Sequence, residues 1–120
     1  MTHENPPLIY KIATSASLTS ARHSGHYAGM PIDETDGYMH FSTAAQLAET
    51  LRLHFKGQSD LVILAVRTAD LGDALVWEPS RNGQLFPHLY GQALAMNAVE
   101  WDAIVSVDAD GNCTLPEAIQ

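Results

Sequence analysis

Hydrophobic and polar residues recur with two different periods along the chain, and each change of period marks a predicted element. Alternating or continuous apolar runs predict six strands, at residues 8–13, 38–42, 61–66, 74–78, 84–90 and 98–107. The third run is apolar throughout, which indicates a central strand buried on both faces. Turn formers at 79–83 join the next two strands as a hairpin. Pro87 is expected at an edge or bulge because it lacks an N–H group.

The first predicted helix covers residues 14–23. Ser15 is a candidate N-cap for this helix, and Gly25 is expected to follow its end. The stretch at residues 29–37 is acidic and rich in turn-forming residues, so a loop is predicted there.

The second predicted helix follows the strand at 38–42. Its apolar positions recur at helical spacing and are Ala44, Leu47, Ala48, Leu51 and Phe55. Its start carries Thr43-x-x-Gln46, a capping-box pattern in which each side chain can satisfy a free backbone amide. Gly57 is the expected stop signal.

The order of these elements predicts a single α+β domain, because a helix-rich stretch is followed by several strands rather than alternating with them. A length of 120 residues also suits one domain. The expected boundaries are a flexible leader at residues 1–7, the domain at 8–116 and a tail at 117–120.

The charge balance narrows the classes of function. The formal net charge is −8, with 14 Asp and Glu against 6 Lys and Arg, so a nucleic-acid partner is not expected. The chain has no signal-peptide pattern and no stretch of membrane-spanning length, which predicts a cytoplasmic protein without a membrane partner. Cys113 is the single cysteine. We expect it to be inert because its turn-like setting supplies no activating base.

The stretch at residues 37–43 is the first candidate site. Strand alternation places His40 and Ser42 on one face, beside the N-terminus of the second helix, where an anionic or strongly polar ligand is favoured. The alternative is that His40 is an ordinary strand histidine and Thr43 only a helix cap.

The predicted hairpin supplies the other candidates. Glu78 follows Trp77 at the end of an apolar strand, where burial is expected to raise its pKa and make it an acid, a base or a ligand contact. The alternative is an outward-facing strand glutamate. Ser80 and Arg81 lie in the turn, where Arg81 either binds a phosphate or stays solvated.

Further along the hairpin, one strand face carries an imidazole between aromatic rings. Its residues are Phe86, His88 and Tyr90, which either stack on a planar ligand or fill a core. The remaining histidines are expected to be structural or solvated, namely His3, His23, His26 and His54. No metal is expected, because no close-spaced ligand pair accompanies His40, Glu78 and His88. A serine hydrolase is not expected either, because the Gly-x-Ser-x-Gly pattern is missing.

Together, these motifs resemble the small bacterial DUF952 family over roughly residues 8–116. The matching segments are IYKI at 9–12, GHY at 25–27, DGYMHFST at 36–43, Gln46, WE at 77–78, FPHLYG at 86–91 and AV at 98–99. The family is functionally uncharacterised. The resemblance implies an ADP-ribosyltransferase-like fold, a mixed or antiparallel split β structure with two main helices and a cleft that binds NAD.

The resemblance also implies roles for particular residues. In that fold, a first strand holds the adenosine ribose, a second places a hydroxyl or imidazole near the nicotinamide, and a third often carries a catalytic glutamate. By motif, these positions fall to Tyr10 and Lys11, then to His40 with Ser42 and Thr43, and then to either Glu78 or His88. Lys11 departs from the histidine expected at the first position.

The implied catalytic residues are His40, Glu78 and His88. The implied ligand contacts are Tyr10, Lys11, Ser42, Thr43, Ser80, Arg81, Phe86 and Tyr90. NAD or a related nucleotide is the implied substrate, from which ADP-ribose is transferred or hydrolysed. The alternative, which the Lys11 departure favours, is a module that binds a small molecule or nucleotide without chemistry. A two-histidine site also resembles the RNA 2′-phosphotransferases, but the acidic charge argues against an RNA substrate.

Overall fold

A computed structural model describes residues 5–91 and 93–119. The described helices are α1 (Ser15–Ser24), α2 (Pro31–Asp36) and α3 (Ala44–His54). The strands are β1 (Leu8–Thr14), β2 (His26–Tyr27), β3 (Tyr38–His40), β4 (Leu61–Arg67), β5 (Leu75–Pro79), β6 (Leu85–Tyr90), β7 (Leu94–Ala95) and β8 (Val99–Val105). All strand pairs are antiparallel, and the predicted α+β class is confirmed.

The first sheet has the order β1–β4–β8 and divides the core into two clusters. Neighbouring residues of β4 point to opposite faces. Leu64 therefore packs in the cluster that contains α1, and Ile63 packs in the cluster that contains α3. Residues 61–66 are all buried, so the predicted central strand is confirmed. Burying a leucine side chain of this kind contributes about 1.5–3 kcal/mol.

The second sheet has the order β3–β6–β5, and its two faces differ in character. Met39 and Leu89 pair across β3 and β6 and point into the core. The next pair in the register, His40 and His88, points to the opposite face. This alternation gives the sheet one apolar face and one face that carries imidazoles, phenols and a carboxylate.

Pro87 lies in the middle strand of this sheet, so its predicted edge or bulge position is wrong. The ladder between β3 and β6 ends at the pair His40–His88 and does not extend to Pro87, the residue next to His88 in β6. The Pro87 carbonyl accepts a hydrogen bond from the Phe41 N–H (3.0 Å). A central proline is tolerated because its missing N–H group falls where the neighbouring strand ends.

The ends of α1 follow local capping rules. Its N-cap is Thr14 rather than the predicted Ser15, because the Thr14 hydroxyl accepts a hydrogen bond from the Ser17 N–H (3.2 Å). Gly25 ends the helix as predicted. Its φ of 83° is a left-handed conformation that favours glycine, and its N–H donates to the Ala21 carbonyl.

The predicted capping box at the start of α3 is confirmed. The Thr43 hydroxyl accepts from the Gln46 N–H (3.3 Å), and the Gln46 side chain accepts from the Thr43 N–H (3.0 Å). The apolar face is narrower than predicted. Ala44 and Ala48 are exposed, and the polar Gln46 is buried because its amide donates to the Leu85 carbonyl (2.8 Å). The helix ends at His54, before the predicted stop at Gly57.

The predicted loop at residues 29–37 is wrong, because α2 occupies its centre. Pro31 starts the helix at the first position, where a missing N–H group costs no hydrogen bond. Gly37 ends it with a φ of 83°. The Asp33 side chain accepts a hydrogen bond from the Met30 N–H (2.6 Å), which completes a cap at the start of this helix.

The segments that flank the domain are described in part. The Pro6 and Pro7 carbonyls accept hydrogen bonds from Thr68 just after β4, while residues 1–4, including His3, lie outside the described range. Residues Glu117–Ile119 form one turn of 3-10 helix. Among the helices of the described residues, none has the length and apolar character needed to cross a bilayer.

Candidate functional site

A cleft of about 560 Å³ opens where β1, α2, α3 and the imidazole-bearing face of the second sheet meet. Its lining residues from the first half of the chain are Tyr10, Lys11, Ile12, Met30, Pro31, Ile32, Asp36, His40, Phe41, Ser42, Thr50, His54 and Phe55. The β5–β6 hairpin adds Ser80, Arg81, Phe86 and His88. A depression of similar volume beside Cys113 holds no histidine, lysine or arginine among its described lining residues.

Asp33 of α2 is the hub of a buried network behind this cleft. One carboxylate oxygen accepts from the Met30 N–H and lies 2.8 Å from the Lys11 ammonium. The other accepts from the His40 N–H (3.0 Å) and lies 2.6 Å from His40 Nδ1. This carboxylate therefore ties α2 to β1 and β3.

Burial opposes ionisation in both partners of the Lys11–Asp33 pair, whose side chains are 4% and 3% exposed. Burial lowers the pKa of Lys11 below its ordinary value, although Asp33 counteracts this. For Asp33, burial alone would raise the pKa. The hydrogen bonds from His40 and the charge of Lys11 outweigh this effect and hold the pKa of Asp33 well below its usual range. Asp33 is therefore a fixed anion at neutral pH.

His40 lies between two carboxylates of α2. Its Nδ1 faces Asp33, and its Nε2 lies 2.9 Å from an Asp36 oxygen. Both ring nitrogens are thus occupied, and neither is free for a ligand unless one of these contacts opens. The ring is held at the cleft wall in a single orientation.

His88 is oriented by a second carboxylate. Its Nδ1 lies 2.7 Å from Glu78 Oε1, and the same oxygen accepts a hydrogen bond from the Tyr90 hydroxyl (2.6 Å). His88 Nε2 makes no hydrogen bond to the described part of the chain. With Nδ1 donating to Glu78, Nε2 is the nitrogen that can take or deliver a proton.

The sequence leaves two alternatives for Glu78, and the one in which burial raises its pKa is wrong. The hydrogen bonds from Tyr90 and His88 hold the pKa of Glu78 below its ordinary value. The Glu78 side chain is 35% exposed rather than buried. The same contact with Glu78 raises the pKa of Tyr90 to about 12.

Aromatic rings bring the two imidazoles together. Tyr38 stacks on His88 with ring centroids 4.2 Å apart and lies 4.7 Å from the ring of His40. The rings of His40 and His88 are 5.4 Å apart in an edge-on arrangement. Tyr90, which pairs with Tyr38 across the two strands, adds a fourth ring whose centroid is 5.1 Å from that of Tyr38. Two histidines far apart in sequence are thus neighbours on one sheet face.

The structure places the predicted site residues in two groups. Those that line the cleft are Tyr10, Lys11, His40, Ser42, Ser80, Arg81, Phe86 and His88. Those that are missing from the described lining are Thr43, Glu78 and Tyr90. The Thr43 hydroxyl serves as the helix cap, and Glu78 and Tyr90 contact His88 instead.

Tyr10 and Lys11, which the resemblance assigns together to the first strand, have different surroundings. Tyr10 and Lys11 are adjacent in β1, so their side chains point to opposite faces. The Tyr10 ring packs in the cluster that contains α3, 6.0 Å from the ring of Trp101. The Lys11 ammonium is paired with Asp33.

Several site residues are absent from the sequence-based prediction. Asp33 and Asp36 lie in the stretch predicted to be a loop, although two carboxylates just before the His40 motif were a usable signal. Thr50 and His54 lie one helical turn apart on α3 and both line the cleft, so the interpretation of His54 as merely structural or solvated omits its place there. Within residues 5–91 and 93–119, no group of three or more His, Cys, Asp or Glu side chains is arranged to hold a metal ion.

Comparison with known proteins places the chain in a family. The model of a family described as "Protein of unknown function (DUF952)" matches residues 12–102. The chain belongs to this family. No curated protein matches this DUF952 member.

Solved structures of one relative share the fold. The X-ray structure of protein CC0527 from Caulobacter crescentus is 41% identical and has a TM-score of 0.86. The match covers 93% of this chain and 97% of that one. The solution NMR structure of CC0527 is 42% identical with a TM-score of 0.76, and covers 88% and 90% of the two chains. The DUF952 fold seen here is therefore an α+β fold shared with CC0527.

Proposed function

We propose that the cleft binds NAD, ADP-ribose or a related nucleotide, and that His88 acts as a proton-transfer group in transferring or hydrolysing the ADP-ribose part. One observation carries this proposal. The imidazoles of His40 and His88, each oriented by a carboxylate, lie 5.4 Å apart on the aromatic face of the second sheet. They lie beside a cleft that accommodates a small molecule.

The charges around the cleft support an anionic ligand. Two of the six Lys and Arg residues and three of the six His residues line it, namely Lys11, Arg81, His40, His54 and His88. Of the 14 Asp and Glu residues, Asp36 is the one found in the described lining. Asp33 neutralises Lys11, but basic side chains still outnumber carboxylates in the described lining of the cleft. This contrasts with a net charge of −8 for the whole chain.

The chemistry follows from which nitrogen is free. Glu78 fixes Nδ1 of His88, so Nε2 can accept a proton from an attacking hydroxyl or water. A carboxylate that orients an imidazole in this way has the same part in other acid–base sites. Breaking a glycosidic bond to nicotinamide develops positive charge on the ribose, and the Asp36 carboxylate at the cleft wall is available to stabilise it. Glu78 acts through His88 and is a positioning residue.

A second candidate is a binding module without turnover, and the state of His40 favours it. Both ring nitrogens of His40 are occupied by carboxylates, so this ring offers no free site for proton transfer. In that case His40 shapes the cleft and the ligand is held without reaction.

A thermal-shift screen with NAD, ADP-ribose and nicotinamide tests the proposal. A ligand at about a hundred times its dissociation constant adds about 2.7 kcal/mol of stability. We expect stabilisation by NAD and ADP-ribose, followed by nicotinamide release from NAD in a chromatographic assay. His88→Gln should abolish release and retain binding, whereas His23→Gln, on the exposed end of α1, should change neither.

The outcomes separate the candidates. Stabilisation with His88-dependent release supports the enzyme, and stabilisation without release supports the binding module. In calorimetry, His40→Ala should weaken binding in either case. If no nucleotide stabilises the protein, the enzyme and a nucleotide-binding module are both wrong, and only a module for another small molecule is left.

A further inference from the structure

Arg81 is held against the cleft by contacts that leave most of its donors free. Its Nη1 donates to the Thr50 hydroxyl (3.3 Å), and its guanidinium carbon lies 5.0 Å from the centre of the Phe86 ring. Nε and Nη2 are buried and have no hydrogen-bond partner among the described residues; the Glu49 carboxylate is 3.7 Å from Nη2. Buried donors without acceptors cost free energy. A guanidinium that turns toward the cleft satisfies these donors on a bound anion with several oxygens.

Thr50 fixes the orientation of this guanidinium. The Thr50 hydroxyl donates to the Gln46 carbonyl (3.0 Å) and accepts from Ser42 (3.3 Å) as well as from Arg81. One donor and two acceptor positions are the full capacity of a hydroxyl. Arg81 is thereby held beside the cleft, so less conformational entropy is lost when a ligand binds.

Two further donors lie beside Arg81. His54 follows Thr50 by one helical turn and so shares its face of α3. Ser80 precedes Arg81 in the hairpin turn. Both residues line the cleft, and neither the His54 ring nor the Ser80 hydroxyl makes a hydrogen bond within the described chain.

We propose that Arg81, Ser80 and His54 form a subsite for a phosphate group of the ligand. The proposal rests on the proposed function for the identity of that ligand. Phe86, which underlies the guanidinium, is two residues from His88 on the same strand face, a separation of about 7 Å. A phosphate held by Arg81 therefore leaves the attached sugar at His88, which orients a nucleotide along the cleft.

Inorganic pyrophosphate tests the subsite without any nucleotide. An NMR titration of the ¹⁵N-labelled protein should show saturable shifts confined to the amides at residues 50–55 and 80–86. Arg81→Gln should weaken binding at least about tenfold, because a charge-assisted, multi-oxygen contact is lost. The matched control is Arg52→Gln. Arg52 also pairs with Glu49 (3.5 Å) and carries the same charge, but lies outside the described lining of the cleft. The affinity of the Arg52→Gln protein for pyrophosphate should stay within about twofold of the native value.

The results distinguish this inference from the proposed function. Arg81-dependent pyrophosphate binding with no nucleotide binding supports the subsite and removes the nucleotide. Nucleotide binding that is equal in Arg81→Gln and the native protein overturns the subsite alone. Pyrophosphate shifts that are absent or scattered overturn it as well. If Arg81→Gln does not fold, Arg81→Lys decides, because it keeps the charge and loses the planar fork. An affinity within twofold of native then refutes the inference.

Discussion

Replacing Asp33 with asparagine is the sharpest test of the network behind the cleft. The native carboxylate is 3% exposed and is contacted by the Met30 N–H, the His40 N–H, His40 Nδ1 and the Lys11 ammonium. An asparagine keeps one acceptor oxygen, so about half of these contacts are lost and the buried Lys11 charge has no anion. Breaking a buried ion pair on one side costs about 3–5 kcal/mol.

Urea unfolding at pH 7 measures this cost. We expect a lower midpoint with an unchanged slope. Asp36→Asn is the matched control, because Asp36 also contacts His40 but is exposed, and its loss should cost less than about 1 kcal/mol. Adding Lys11→Met to Asp33→Asn should recover much of the stability, since no unpaired charge then remains. A folded Asp33→Asn protein within 1 kcal/mol of the native one would show that the Asp33 carboxylate does not hold this network together.

The same variant predicts a pH dependence. The pKa of Asp33 is lower in the folded state than in the unfolded chain, so the unfolded chain binds the proton more readily. The stability supplied by this carboxylate is present above the unfolded pKa of about 3.9 and is lost as pH falls through the folded value. The difference in stability between native and Asp33→Asn proteins should therefore narrow below about pH 4. A difference that is constant down to pH 2 contradicts the assignment.

Three further predictions concern neighbouring contacts. Glu78→Gln should bring the pKa of Tyr90 from about 12 toward its ordinary value near 10, measured by NMR titration of labelled tyrosine; an unchanged pKa would show that Glu78 is not the cause. Gly29→Ala should destabilise the protein more than Gly37→Ala. Both glycines have positive φ, and an L side chain in that conformation costs about 1–2 kcal/mol. Only at Gly29 does the added Cβ also come within 2.7 Å of the Asp33 side chain. Equal unfolding free energies for the two variants would contradict this. Thr43→Ala should cost about 1 kcal/mol by removing the helix cap and leave nucleotide affinity unchanged, and a weaker affinity in calorimetry would restore Thr43 as a ligand contact.

Features that depend on neighbours in sequence could be predicted, and α3 shows why. Thr43 and Gln46 are three residues apart, and their reciprocal hydrogen bonds form within one turn. The apolar run of β4 likewise required a buried strand whatever lay around it. The shared face of Phe86, His88 and Tyr90 followed from strand alternation alone.

Features that depend on partners distant in sequence could not be predicted in the same way. The helix α2 was missed because its key cap, Asp33, is stabilised by Lys11 and His40 from two strands. The pKa of Glu78 was predicted in the wrong direction because its partners lie across the hairpin, and only the register brings them into contact. Pro87 was placed at an edge because the sequence does not show where β3 ends.

Both proposals need a nucleotide to bind between His88 and Arg81. The most direct measurement is an NMR titration with ADP-ribose that follows the imidazole nitrogens of all histidines. We expect saturable shifts of His88 Nε2, His40 and His54, with His23 and His26 unchanged. Saturation without a change at His88 and His40, or no binding at millimolar ADP-ribose, would contradict this expectation.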